Sequence, residues 1–163
     1  MFPVVSWNPD HSLIASVQKE RRGLQVSFFE KNGLRHGEFL LPVSSLTETC
    51  LGYNSIGDIL AVSGMTDHGS ELQLWIRGNY HWYLKIRRVY PQSIQDIHWD
   101  PVDSHMMTIL FEVRVRGMID PQNGELIFFN LVWHVTNSND SSNSIAVVDG
   151  NSIHLSSCYV GVK

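Results

Sequence analysis

The densest group of side chains able to do chemistry is the run His98-Trp99-Asp100-Pro101-Val102-Asp103-Ser104-His105. Two imidazoles and two carboxylates so close together form a donor set for a metal or for acid–base work, and on an extended chain His98 and Asp100 fall on one face. The same run also reads as a polar turn at the start of a repeated unit. Asn8-Pro9-Asp10-His11 and Asn54-Ser55-Ile56-Gly57-Asp58 hold turn-forming residues at corresponding places. That recurrence favours a turn, so no catalytic residue, no metal ligand and no cofactor is assigned. Ser63-Gly64 lacks the first glycine of a nucleophile elbow, and no phosphate-binding loop, dinucleotide fingerprint or HExxH pair occurs. Cys50 and Cys158 are too few for a disulfide framework and too far apart for a CxxC site, which suits a reducing intracellular compartment.

Recognition is the remaining class of chemistry. His81-Trp82-Tyr83 lies within Asn79 to Lys85, and in an alternating strand His81 and Tyr83 face one way while Trp82 faces the other. Trp82 is therefore expected in the core, and His81 and Tyr83 are candidate interface residues. Lys85, Arg87 and Arg88 continue the same edge as a small basic run, with Arg114 and Arg116 as another. A solvated strand face is the usual explanation of such runs, with a binding surface as the alternative. The whole chain carries 12 Lys plus Arg against 16 Asp plus Glu, so it has no cationic excess for neutralising phosphates, and direct nucleic-acid binding is not expected. No basic leader and no long apolar window occurs, so no membrane association is expected either. The sequon Asn139-Asp140-Ser141 lies in a Ser/Asn-rich stretch where such tripeptides arise by chance.

The elements that position these residues follow from an internal repeat. Val4 to Ser16, Cys50 to Val62 and Asp96 to Leu110 each place an aromatic before an Asn/Asp turn and then a short apolar run. The aromatics Trp7, Tyr53 and Trp99 are spaced by 46 residues, and so are Phe29 and Trp75, which end matching strand-like runs. Asn32-Gly33 and Gly78-Asn79 supply the residues of tight hairpin turns. Short β-branched and aromatic strands at this period predict an all-β chain, a partial WD-repeat-like β-propeller of about three blades plus the start of a fourth. The expected blades cover about 4–49, 50–95 and 96–136, followed by a polar loop at 136–144, a new blade start at 145–155 and an atypical tail at 156–163. Phe29-Glu30 and Trp75-Ile76 stand where a WD dipeptide would, so these blades rely on apolar packing.

The third blade deviates. A strand through Arg116, a turn at Asp120-Pro121-Gln122-Asn123-Gly124 and a return strand to Val135 are expected. Ile127, Phe129, Leu131, Trp133 and Val135 line one face of the return strand, and Leu126, Phe128 and Val132 the other, which predicts burial on both sides. TNSNDSSNS, from Thr136 to Ser144, reads as an exposed mobile loop.

FFEKNGLRHGEF (Phe28 to Phe39), LQLWIRGNYHWYLK (Leu72 to Lys85), WDPV (Trp99 to Val102) and AVVDGN (Ala146 to Asn151) resemble consecutive stretches of the Elongator complex protein 1 family, also called the IkappaB kinase complex-associated protein family. They fall in part of its first WD-type propeller. SWNPDHSLIAS (Ser6 to Ser16) resembles the blade start before them, and order and spacing follow the family from about Val4 to Leu110 and again from about Asn137 to His154. About Glu112 to Asn130 and Leu155 to Lys163 depart from it, which implies a truncated, alternatively spliced or mispredicted product. The resemblance implies a non-catalytic scaffold role in Elongator, which modifies carbon 5 of the wobble uridine (U34) of tRNA. The chemistry belongs there to a radical-SAM acetyltransferase subunit, whose iron–sulfur site needs three clustered cysteines. That subunit and a WD-repeat second subunit are the implied partners, and the implied location is cytoplasmic and also nuclear. The competing reading is a propeller interaction module unrelated to Elongator, or a truncated product without function.

Overall fold

The computed structural model describes residues 4–115, 118–131, 135–139, 144–149 and 152–157, and divides into two compact units, Met1–Asn130 and Leu131–Lys163. In the first unit, β1 (Val5–Trp7), β2 (Leu13–Glu20), β3 (Gly23–Glu30) and β4 (Arg35–Leu40) form an antiparallel sheet in chain order. The second sheet repeats it with β5 (Thr47–Tyr53), β6 (Ile59–Thr66), β7 (Gly69–Gly78) and β8 (His81–Tyr90). The third has three strands, β9 (Ile94–Trp99), β10 (Met106–Val115) and β11 (Met118–Asn130). Neighbouring sheets meet through their first strands, with β5 in contact with both β1 and β9. This is the blade plan of an unclosed propeller.

The repeat is written into the backbone as well as the side chains. Residues with positive φ recur at the 46-residue period: His11 with Gly57, Gly23 with Gly69, and Gly33 with Asn79. Cross-strand register recurs too, since Trp7 faces Ile14, Tyr53 faces Leu60 and Trp99 faces Met107. A bulge at His36 of β4 lies opposite Phe28 and Phe29 of β3, and one at Lys85 of β8 lies opposite Leu74 and Trp75 of β7. A bulge adds twist, and the same extra twist at the same place gives both sheets the same shape.

Burial shows how the sheets stack. Every residue from Ile59 to Gly64 in β6 is buried, as is every residue from Ser70 to Trp75 in β7. A strand buried on both faces needs a layer on each side, and the second sheet has the first and third as those layers. The core between the first two sheets contains Ala15, Val26, Phe28, Tyr53, Leu60, Val62 and Trp75. Phe39 lies 4.1 Å from Trp75 and Trp82 stacks at 5.4 Å on Phe28, centroid to centroid. Trp82 thus packs into the core, as its place in the strand alternation predicts. On the third sheet, Met107, Ile109 and Phe111 are fully buried.

The third sheet corrects several expectations. Val115 pairs with Met118, so the chain reverses between them, and the anticipated turn at 120–124 lies inside the span of β11. Pairing skips from Glu112–Gly124 to Arg114–Ile119, leaving Asp120 to Asn123 without a ladder partner. Proline has no amide hydrogen to give a ladder, so Pro121 is tolerated at this irregularity in an edge strand. The return strand ends at Asn130 rather than Val135, and it is not buried on both sides. Leu126 and Phe128 are 56% and 70% exposed, because no other layer among the described residues packs on their face of β11. Val132 and Trp133 lie outside the described residues. Positive φ falls on Asn79 and Tyr80 rather than on Gly78 and Asn79, moving the β7–β8 turn one residue along.

In the second unit β12 (Val135–Asn139), β13 (Ser144–Asp149) and β14 (Ser152–Ser157) form an antiparallel sheet in chain order. The polar stretch expected as a loop therefore begins as a strand, with Asn137 opposite Ala146, because ladder pairing satisfies a polar backbone whatever its side chains. Residues 140–143 and the tail from 158 lie outside the described residues.

Candidate interaction surface

β8 carries all five candidate interface residues, and it is the outer edge of the second sheet. His81 and Tyr83 are exposed and alternate with the half-buried Trp82 and Leu84, and Lys85 is exposed as well. The bulge opposite Leu74 and Trp75 inserts Lys85 as the unpaired residue, so the alternation changes phase beyond it. Arg87 then lies on the side of Gln73, the residue it pairs with. The five residues thus do not share one face.

Arg87 is already engaged. Its guanidinium donates to both carboxylate oxygens of Glu71, at 2.7 and 3.1 Å, and the Glu71 carboxylate is almost fully buried. This forked pair raises the arginine pKa through the hydrogen bond and the charge of Glu71. Gln73 donates to Glu71 at 2.7 Å and Trp75 donates its indole N–H to Gln73 at 3.0 Å, so a polar chain runs along β7 from the core to the surface. Glu71 was not singled out from sequence. Its signal is a carboxylate next to Leu72 and shortly before Leu74-Trp75-Ile76, in a strand whose burial calls for a cation on the neighbouring strand.

The tip of the β7–β8 hairpin presents Tyr80, fully exposed with φ of 64°. A bulky residue in the left-handed region is uncommon. Beside it a cleft of ≈ 390 Å³ is lined by His36, Glu38, Arg77, His81 and Trp82, among others. Its walls come mainly from β4 and β8, with Leu13 of β2, Phe28 of β3, Arg77 of β7 and Tyr80 of the β7–β8 turn, which sequence spacing alone does not bring together.

In the HWDPVDSH run His98 and Trp99 end β9, and the residues after them form a turn. The Asp100 carboxylate accepts the amides of Val102 and Asp103, each at 2.8 Å, and Asp103 accepts that of His105 at 2.9 Å. The backbone donors hold the Asp100 carboxyl below its usual pKa. His98 points to Asp96 at 2.9 Å, away from that turn. Among the described residues no His, Cys, Asp and Glu group is arranged to hold a metal ion. The turn is one residue longer than its counterparts. The amide of Asp100 bonds the carbonyl of Met106, whereas Asn8 bonds Leu13 and Asn54 bonds Ile59.

The polar residues flanking the marker aromatics join the blades. Asn8 and Asn54, 46 residues apart, are both buried. Asn54 donates to the Ser104 carbonyl in the third sheet at 3.1 Å, while Asn8 packs against Gly57 in the second. The Trp99 indole N–H donates to the Gly52 carbonyl at 3.0 Å, and the Tyr53 amide donates to the Ser6 hydroxyl at 3.3 Å. Tyr53 and Trp99 are thus joints between blades, while Phe29 and Trp75 mark the third strands.

Comparison with known proteins agrees with this geometry. The model of the ELP1 first N-terminal beta-propeller matches residues 2–102. Elongator complex protein 1 of Rattus norvegicus is 34% identical over 170 residues, covering 93% of this chain and 12% of its own length. The Saccharomyces cerevisiae protein of the same name is 42% identical over 104 residues, covering 60% of this chain and 7% of its own length. The chain thus spans about an eighth or less of the length of these curated relatives. In fold, the chain is similar to Saccharomyces cerevisiae Sqt1, with a TM-score of 0.51 at 11% identity over 98% of this chain and 46% of that one. With 46-residue antiparallel blades and a family match over more than half its length, the chain belongs to the family of the first N-terminal β-propeller of Elongator complex protein 1.

Proposed function

We propose that this chain is a non-catalytic scaffold element of Elongator, supporting modification of the wobble uridine of tRNA by subunits that carry the chemistry. The observation behind this reading is the family match over residues 2–102, the stretch that builds the first two blades and the start of the third. A propeller blade offers a rigid sheet edge and turn tips, which suit protein contacts more than bond-making chemistry. The exposed strip of His81, Tyr83, Lys85 and Arg88, with Tyr80 at its end, is the surface we assign to partner subunits: the radical-SAM acetyltransferase and the WD-repeat second subunit. It includes Tyr80, Tyr83 and Arg88, and tyrosine and arginine are residue types enriched at interface hot spots. On this reading the protein works in the cytoplasm and the nucleus.

The test is a segment exchange. Residues 4–110 replace the matching stretch of the Saccharomyces cerevisiae Elongator complex protein 1, and wobble-uridine side chains are measured by mass spectrometry of tRNA. Retained modification is the expected result. Loss of modification, with the hybrid protein at normal abundance, overturns the proposal.

A further inference from the structure

The β7–β8 turn holds a residue that its backbone disfavours. β7 ends at Gly78 and β8 begins at His81, which leaves Asn79 and Tyr80 as a two-residue loop with φ of 49° and 64°. Two successive positive φ values are those of a type I′ hairpin turn, whose second position favours glycine because a Cβ is strained there. Tyrosine takes that place here. Its side chain is fully exposed, no described ring stacks on it and no described group bonds its hydroxyl, so nothing within the described residues offsets the strain. Strain of this kind clusters where a ligand is clamped.

Tyr80 stands at the lip of the ≈ 390 Å³ cleft, a volume within the range of ligand pockets. The floor is aromatic. Phe28 stacks on Trp82, and Phe39 lies 5.9 and 6.0 Å from those two rings, centroid to centroid. The charges at the rim differ in commitment. Glu38 pairs with Arg35 at 3.3 Å and His36 lies 3.6 Å from Glu30, whereas the exposed Arg77 guanidinium makes no ion pair or hydrogen bond among the described residues. Arg77 is the cross-strand partner of Trp82, so an uncommitted cation adjoins the aromatic floor.

One wall is the edge of a sheet. Four consecutive residues, His36 to Phe39, line the cleft, and since side chains of an extended strand alternate between faces, the cleft runs along the open edge of β4. Leu41 donates its amide to the Leu24 carbonyl at 2.9 Å, and by the alternation of an antiparallel ladder Phe39 and Gly37 also bond inward to β3. The amides and carbonyls of Glu38 and Leu40 therefore point to the open side.

We propose that this cleft binds an extended peptide segment of a partner protein. The segment adds as a strand to the edge of β4 at Glu38 and Leu40, seats an aromatic side chain against Trp82 and Phe39 beneath Tyr80, and presents a carboxylate to Arg77. Alternate residues of a strand share a face, so the carboxylate belongs two positions from the aromatic. Each part of the occupant answers one feature: backbone to the edge, ring to the floor, anion to the unpaired guanidinium. Peptide binding here rests on the fold of the first two blades and not on the Elongator reading, so either can fail alone.

The test selects a phage-displayed library of random octapeptides on the full chain and measures the enriched peptides, labelled with fluorescein, by fluorescence polarisation. Enriched peptides are expected to carry Phe, Tyr or Trp with Asp or Glu two positions away. Tyr80→Gly is expected to raise the urea midpoint while weakening binding about tenfold. Arg77→Gln is expected to weaken the acidic peptide by a similar factor and to leave its Gln or Asn counterpart unchanged. No enrichment, or enriched peptides without the aromatic–acid pair, overturns the proposal. Binding that survives both substitutions overturns it too, and a lower urea midpoint for Tyr80→Gly overturns the clamp role of Tyr80. Sedimentation of the chain alone as a dimer that Tyr80→Gly dissociates also overturns the proposal, because a second copy then fills the cleft.

Discussion

Two glycines at equivalent turns separate backbone strain from steric collision. Gly23 and Gly69 have φ of 130° and 126°, a region that side-chain-bearing residues rarely adopt. A Cβ at Gly23 would meet nothing, whereas one at Gly69 would strike the Tyr90 carbonyl oxygen. Gly23→Ala is expected to cost the conformational term alone, about 1–3 kcal/mol. Gly69→Ala carries the collision as well and should be the more damaging, as urea unfolding of the two variants will show. Cys50 and Tyr53 set an alkaline limit to stability. Burial raises the Cys50 thiol pKa, with the Asp96 charge adding to it, and burial pushes the Tyr53 phenol above its usual range. Groups whose pKa is raised by folding contribute stability that is complete below their unfolded pKa and is lost as pH rises toward the folded value. Stability should therefore decline from about pH 8.5 upward. Cys50→Ala should flatten the first part of that decline and Tyr53→Phe the later part, measured as urea midpoints against pH.

At the scale of elements, β7 and β8 depend on one ion pair across their interface. Arg87→Ala would leave the Glu71 carboxylate buried with the Gln73 side-chain amide as a remaining hydrogen-bond donor. Removing one partner of a buried pair is worse than removing both, because the stranded charge is the costly species. Glu71→Gln/Arg87→Ala is thus expected to melt above Arg87→Ala, a comparison calorimetry makes directly. Element legibility followed the strength of the local code. The hairpins of the first two blades were readable because Gly, Asn and alternating β-formers mark them. The third blade was misread at Asp120 to Gly124, where strong turn residues sit inside a strand span. Turn propensity is local, and the irregular pairing of β10 with β11 overrides it. The burial of Leu126 and Phe128 was misread for a related reason. An apolar pattern reports what a strand could bury, while exposure depends on whether another layer exists.

For the first unit taken as a whole, position in the stack governs stability. The second sheet has a neighbour on each face, so amides of β6 and β7 should exchange slowest with deuterium. Those of β4 and β11, which lie at sheet edges, should exchange fastest, and comparable protection across all four strands would contradict the stacking argument. The propeller class and the marker residues Trp7, Phe29, Tyr53, Trp75 and Trp99 were determined by sequence alone, because a 46-residue period forces equivalent residues into equivalent places. What those markers do was decided only by tertiary structure. The sequence makes Trp7, Tyr53 and Trp99 alike, and the fold makes them different: two are seated on the blade before them and one is open. The same holds for the HWDPVDSH run, whose carboxylates cap their own turn, and for Arg87, which a single bulge turns toward a buried carboxylate. Spacing along a chain fixes equivalence between residues, but partnership is a property of the layer that lies across from them.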